Sequence, residues 1–355
     1  MLRWPALAHD RRFRILRPHP RRTARQSDRH GRAFCQAPQP AVRTPPKHSA
    51  LSILGRRTDC PSSGCIQLQQ DWRVDGVANA CRHLLSISLE GCRFERSIVG
   101  YMVSRNPRLV HVNFSGLQAV SNSTCRMLAE SCRHIESLDV SFCCNADGRG
   151  LRKIVERCRN LKELRACELN MNDPGLMQAL FKTNHVQSLH LGNANGLTDD
   201  FIRVLVEGVD PVIDPLTDRS SAPARELVQL GLGNCVHLTD DTLRHLSGRI
   251  PHVRKLDLAG NPSFTDAGFA ELLLSIPDLV HLDIEECSEL TNATLTNISR
   301  SPAAKRLIHL AVSYCENMGD NGMVHVLRKC ERLANLEMDN SMPLEPFSFS
   351  LQSTH

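Results

Sequence analysis

The segment CRHIESLDVSFC, residues 132–143, places a cysteine at each end and a Leu-x-Val pair, Leu138 and Val140, near its middle. The same grammar returns in CRHLLSISLEGC (81–92), ELVQLGLGNC (226–235), HVRKLDLAGN (252–261), DLVHLDIEEC (278–287) and RLIHLAVSYC (306–315). Anchoring each copy on its first apolar residue gives Leu84, Leu109, Ile135, Leu161, Val186, Leu227, Val253, Leu279, Leu307 and Leu333, with steps of 25, 26, 26, 25, 41, 26, 26, 28 and 26 residues. A fixed period in the twenties, broken once, describes a chain of stacked, equivalent units.

The pattern L-x-x-L-x-L-x-x-N/C-x-L is that of the leucine-rich repeat, and it predicts an α/β solenoid, a horseshoe with parallel strands inside and helices outside, over residues 81–341. Within one copy, Leu256 and Leu258 are alternate residues of a short strand and enter the core, while the residue between them faces the inner surface. The slot three residues later holds Cys92, Cys143, Cys235, Asn261, Cys287 and Cys315. A small, weakly polar side chain there can satisfy turn backbone groups beneath the strands. A second motif follows in LTDDFIRVLV (197–206), LTDDTLRHL (238–246), FTDAGFAELLL (264–274) and LTNATLTNI (290–298). Thr198, Thr239, Thr265 and Thr291 read as helix N-caps, with the next Asp or Asn placed where its own helix dipole favours negative charge.

The cysteines recur because the unit recurs, in the slot and at the first position (Cys81, Cys132, Cys158, Cys330), which assigns them to buried structural thiols. The pair Cys143-Cys144 lacks the spacing of a zinc site, so neither a metal nor a cofactor is expected. Cys60 and Cys65, outside the repeats, leave a metal or redox role open. The odd count of fifteen cysteines, with no secretory signal, favours a reducing cytoplasmic or nuclear setting over a disulfide framework.

Charge divides the chain. Residues 1–60 hold 13 Arg, one Lys and three Asp, a net +11, against −6 for residues 61–355. Arg and Pro crowd out apolar periodicity in residues 1–60, which are expected to be disordered. Such a start reads as a solvated basic tail or a wrongly assigned N-terminus, a mitochondrial transit peptide, or an arm for nucleic-acid phosphates. Pro5, Pro18 and Pro20 interrupt the helix that a transit peptide needs, and no aromatic residues interleave with the arginines as base-stacking platforms, so nucleic acid is not the expected partner. No window reaches the 18 or so uncharged apolar residues of a membrane span. Residues 61–80 are expected to cap the solenoid or link to it, and residues 342–355 to form a tail. The long step places an insertion loop at 209–226, with Pro, Ser and charge concentrated in DPVIDPLTDRSSAPARE (210–226).

The dialect with Cys opening the unit, Cys in the slot and then L-T-D resembles the cysteine-containing repeats of F-box/LRR proteins, over residues 81–341. The resemblance implies a substrate receptor of an SCF-type ubiquitin ligase, in which an F-box holds the Skp1 adaptor of the cullin complex and the repeats present a target for ubiquitin-dependent degradation. An F-box should precede the repeats, with a Leu-Pro opening and a Trp near its end. Neither the Arg/Pro segment nor DWRVDGVANACRHL (71–84) supplies that pattern, so Skp1 binding is expected only with an F-box restored upstream. The alternative is a repeat scaffold or inhibitor that works without an F-box.

No P-loop, G-x-S-x-G or H-E-x-x-H is present, and Asp199-Asp200 and Asp240-Asp241 recur with the capping Thr. The reading is therefore a binding protein without its own catalytic site or small-molecule substrate, whose only site is a surface. The strand register places Asp257, Asp283, Glu285, Glu337, Asp339, His281 and His309 on the concave face, where acids gather toward the C-terminal half. This predicts a target protein that offers a basic segment.

Overall fold

The computed structural model describes residues 50–52, 83–216 and 219–339. Its strands are β1 (Ala50–Ser52), β2 (Ser86–Ser88), β3 (His111–Asn113), β4 (Ser137–Asp139), β5 (Glu163–Arg165), β6 (Ser188–His190), β7 (Ile213–Asp214), β8 (Arg219–Ser220), β9 (Gln229–Gly231), β10 (Lys255–Asp257), β11 (His281–Asp283), β12 (His309–Ala311) and β13 (Asn335–Glu337). Its helices are α1 (Arg96–Arg105), α2 (Asn122–Ser131), α3 (Gly148–Arg157), α4 (Pro174–Thr183), α5 (Asp199–Glu207), α6 (Asp240–Leu246), α7 (Asp266–Ser275), α8 (Asn292–Arg300) and α9 (Asp320–Lys329). Strands β1–β6 and β9–β13 form one open parallel sheet in chain order, and each helix packs on the next. The strand-inside, helix-outside solenoid is the architecture that the period predicts.

Each repeat strand is three residues long, and in β2–β6 and β9–β12 its central residue, such as Leu138, Leu256 or Leu282, is buried, while Leu336 of β13 is partly so. The next apolar residue, Val140, Leu258 or Ile284, enters the same core. Past the strand, every unit needs a sharp turn. Gly91, Gly116, Phe142, Glu168, Asn193, Asn234, Gly260, Glu286 and Tyr314 all have positive φ and stand one residue before the slot. Each donates its N–H to a carbonyl of the following unit, for example Phe142 N to Cys167 O at 2.9 Å and Glu286 N to Ser313 O at 2.9 Å. The slot residue then reaches back to the preceding unit. Cys143 Sγ donates to Phe114 O (3.1 Å), Cys287 Sγ to Leu258 O (3.4 Å) and Cys315 Sγ to Ile284 O (3.2 Å). Asn261 serves both ways, accepting from Cys235 N and donating to Leu232 O.

The helix starts revise one expectation. Thr239, Thr265 and Thr291 cap their helices through the side chain, whereas Thr198 makes no such bond. The Asp or Asn after each Thr does more than complement its own dipole, because it clamps the next unit. Asp199 accepts from the backbone and hydroxyl of both Thr239 and Thr242. Asp266 does the same for Thr291 and Thr294, Asp240 holds Thr265, and Asn292 accepts from Gly319 N and Gly322 N. Burial pushes the Asp266 carboxyl up, but the Thr291 and Thr294 donors together outweigh it and hold the group below its ordinary value.

Two segment expectations meet the structure in part. Ala50–Ser52 pairs in parallel with β2, Ala50 opposite Ser86, so disorder over residues 1–60 does not hold at these three residues. A three-residue strand needs only a neighbouring sheet edge, which composition does not register. The remaining residues of 1–60, the cap at 61–80 and the tail at 342–355 lie outside the described residues, as does Cys81. At the long step, β6 pairs directly with β9 and the intervening residues leave the sheet, with β7 and β8 forming a small antiparallel hairpin of their own.

Two stability outcomes follow. Asp266→Ala should cost about 2–4 kcal/mol in chemical denaturation, because it strands donors between units. Asp266→Asn, which keeps the acceptor, should cost less. Since the folded carboxyl is depressed, the charge contribution is full above about pH 4–5 and fades as acid protonates the folded form. Glu286→Gly relieves a positive φ at an exposed side chain and should raise stability by about 0.5–1 kcal/mol, read as a higher Tm.

Candidate functional site

The sheet register builds the concave face directly. In β10 and β11, Asp257 stands opposite Asp283 and Lys255 opposite His281, so the two carboxylates occupy adjacent strands as the spacing predicts. Along the same row, Asp283 aligns with Ala311 and Ala311 with Glu337. Glu285 and Asp339 follow two residues after Asp283 and Glu337. His281 aligns with His309 one strand over, with ring centroids 5.5 Å apart, and His309 Nε2 lies 3.9 Å from Glu337 Oε1. Asp283 feels Asp257, Glu285 and Glu337, which brings four of the expected acids together, whereas Asp339 stands at the end of the array.

Burial raises the Asp283 carboxyl first, a backbone hydrogen bond from Glu285 partly offsets this, and the surrounding acids add to the rise, bringing it to about 6. Asp257 is also raised by burial, countered by the Ala259 N–H and by His190. His281 is lowered, by burial and then by His309. The acids also have a structural part that sequence reasoning missed. Asp257 Oδ1 accepts from Ala259 N (3.2 Å) and Asp283 Oδ1 from Glu285 N (3.1 Å), as Asn113 and Asp139 do for Ser115 and Ser141. The signal was present as a repeated Asx residue two before the turn. Reversing these charges would therefore disturb the turn as well as the face, and Asn is the informative replacement.

Beside the acids the floor is bare backbone. Gly231 and Gly233 are buried, and a Cβ at Gly231 would stand 2.7 Å from His190 Nδ1, one at Gly233 2.9 Å from Asp257 Oδ1. His190 and Asp257 thus lean toward each other over β9. The N-terminal half differs because its charges pair locally, with Arg165 Nε 2.8 Å from Glu163 Oε1 and Ser137 Oγ on the other oxygen of Glu163.

Cys143, Cys235, Asn261, Cys287 and Cys315 are buried beneath the sheet, with Cys92 also in the core. Burial raises the Cys143 and Cys287 thiols to about 12 and Cys235 to about 11, which suits protonated donors to carbonyls. Among the described residues no disulfide forms, no group of three or more His, Cys, Asp or Glu is arranged to hold a metal ion, and no helix is long and apolar enough to cross a membrane. Cys60 and Cys65 lie outside the described residues.

A family profile described as Leucine Rich repeat matches residues 131–155 and 249–273. The array has the leucine-rich-repeat architecture, and two of its units are matched by that profile. Its array is similar to F-box/LRR-repeat protein 4 of Bos taurus, 23% identical over 203 residues, which is 56% of this chain and 30% of that relative. The match thus spans less than a third of the relative's length. Among solved structures the array is similar to an internalin (inlF) from Listeria monocytogenes str. 4b F2365, with a TM-score of 0.50 and 13% identity over 76% of this chain and 71% of that one. This likeness shows the fold. A chain of the Rad7 and Elc1 complex in yeast has a TM-score of 0.47 and 19% identity, covering 75% of this chain and 68% of that one.

Asp283→Asn keeps the Oδ1 acceptor and removes the charge. Because the folded carboxyl is raised, ionisation opposes folding at neutral pH. The variant should be at least as stable as the parent at pH 7, and that advantage should vanish as pH falls from about 6 to about 4, read by thermal unfolding across a pH series.

Proposed function

We propose that the array holds a partner protein along its concave sheet, with a basic segment of the partner laid across Asp257, Asp283, Glu285, Glu337 and Asp339 beside the His281–His309 pair. The observation that carries this reading is the half-buried acid pair on adjacent strands, in which Asp257 has His190 beside it and Asp283 is raised by burial and its acidic neighbours. Such a pair is held against electrostatic cost, and a desolvated cation reverses the sign of that cost. In the setting implied by the F-box/LRR resemblance, the partner is a target for ubiquitin transfer. The full product is then the substrate receptor of an SCF-type ligase, with an F-box outside the repeats binding Skp1.

The face and the ligase role are tested separately. Partners captured by the full chain are crosslinked and mapped, in parallel with Asp257→Asn/Asp283→Asn. Contacts should fall on β10, β11 and β13, and the double variant should lose at least about tenfold in affinity, with binding that weakens as salt rises. Crosslinks confined to the helices overturn the face. For the ligase role, a product of the locus that carries an F-box should co-elute with purified Skp1, and silencing the locus should raise the level of the captured partner. Failure of both leaves a scaffold that binds without directing ubiquitin.

A further inference from the structure

The acid pair of the concave face is framed by imidazoles. In the parallel register His190 of β6 stands opposite Gly231 of β9, Gly231 opposite Asp257 of β10, and Asp257 opposite Asp283 of β11. Because Gly231 has no side chain, His190 leans over β9 toward Asp257, and each of these two groups acts on the ionisation of the other. On the other flank, His281 and His309 stand on adjacent strands two residues ahead of Asp283 and Ala311, on the same face of the sheet. Their rings lie 5.5 Å apart, and His309 Nε2 is 3.9 Å from Glu337 Oε1. Three histidines thus border two carboxylates on one surface.

One physical cause acts on both kinds of group. A half-buried surface disfavours charge of either sign, so carboxyls rise and imidazoles fall toward one another. Burial is the largest cause of the rise at Asp257 and at Asp283, which reaches about 6, and of the fall at His190 and His281. The charges around them divide. Arg165 opposes a proton on His190, while Asp257, Glu163 and Asp139 favour it. His309, Lys255 and Arg254 oppose a proton on His281, and Glu285 and Glu337 favour one on Asp283. As pH falls, the carboxylates lose negative charge and the imidazoles gain positive charge, so every change has the same sign. A bound guanidinium or ammonium has the opposite preference, for ionised carboxyls and neutral rings. Binding a cation here therefore expels protons, and by linkage protons expel the cation.

We propose that the concave face is proton-gated: between about pH 7.5 and about pH 5.5, protons taken up by His190, His281, His309 and Asp283 release the basic segment held there. The gate rests on the concave-face reading and adds its regulation. It requires no movement of the sheet, because the groups that take up the protons line the surface that the segment covers.

Isothermal titration calorimetry of the full chain with an oligo-arginine peptide, whose own charge is constant over this range, reads the gate. The dissociation constant should rise at least about tenfold from about pH 7.5 to about pH 5.5, with circular dichroism confirming the fold at each pH. Titrations at about pH 6 in two buffers of different ionisation enthalpy count the protons released, and about one or more per peptide is expected. His281→Gln/His309→Gln should flatten the pH profile and release fewer protons. His190→Gln, on the opposite flank, should act in the same direction and serves where the double variant does not fold. Binding that Asp257→Asn/Asp283→Asn weakens, yet that is equal across the pH range or releases no protons, overturns the gate and leaves the face reading standing. A profile that the histidine variants do not flatten also overturns the gate. A peptide that does not bind, or that binds Asp257→Asn/Asp283→Asn as well as the parent at about pH 7.5, removes the face reading and the gate together.

Discussion

A three-residue strand followed by a turn cannot satisfy its own backbone, and this constraint organises the molecule. The donors at the concave edge of one unit find their acceptors in the next, from Leu89 N to Asn113 O through Val312 N to Glu337 O. No unit is therefore complete alone, and the sheet grows in chain order because the only available partner is the neighbour. The same demand explains why side chains as unlike as Gly260, Phe142 and Tyr314 share a left-handed backbone: the N–H must point to the following unit whatever residue carries it.

Acidic residues do opposite work on the two sides of the stack. At the helix starts, Asp199 and Asp266 receive backbone and hydroxyl donors from the next repeat, and their carboxyls are held below the ordinary range despite burial. On the concave sheet, Asp257 and Asp283 each receive a single backbone donor while facing other acids, and their carboxyls are raised. The first kind lowers the free energy of stacking. The second leaves unspent charge on a surface, which is the physical basis for assigning binding there.

The insertion shows how a solenoid accepts extra chain. Because β6 and β9 still pair, the repeat interface is unaffected, and only the helix-to-strand edge has to host the added residues. Hosting them consumes two arginines: Arg225 is buried against the carbonyls of α4 with its guanidinium lowered to about 10 by burial, and Arg249 clasps the returning limb.

The repeat period, the buried thiols and the spacing that sets Asp257 opposite Asp283 and His281 opposite His309 were legible in the sequence. They depend on spacing alone, and a strand of fixed pleat turns spacing into direction. What tertiary structure decided are the contacts between units. Asp266 reads as a helix-start residue until Thr291 and Thr294, 25 and 28 positions away, are brought to it. Arg225 reads as part of a polar loop until α4 presents its last carbonyls 44 and 45 positions back. Ala50–Ser52 reads as part of a disordered segment until β2 offers an edge. Local pattern fixes what each residue can donate, accept or bury, but which group meets it depends on how the units stack, and that distance is not written in the local pattern.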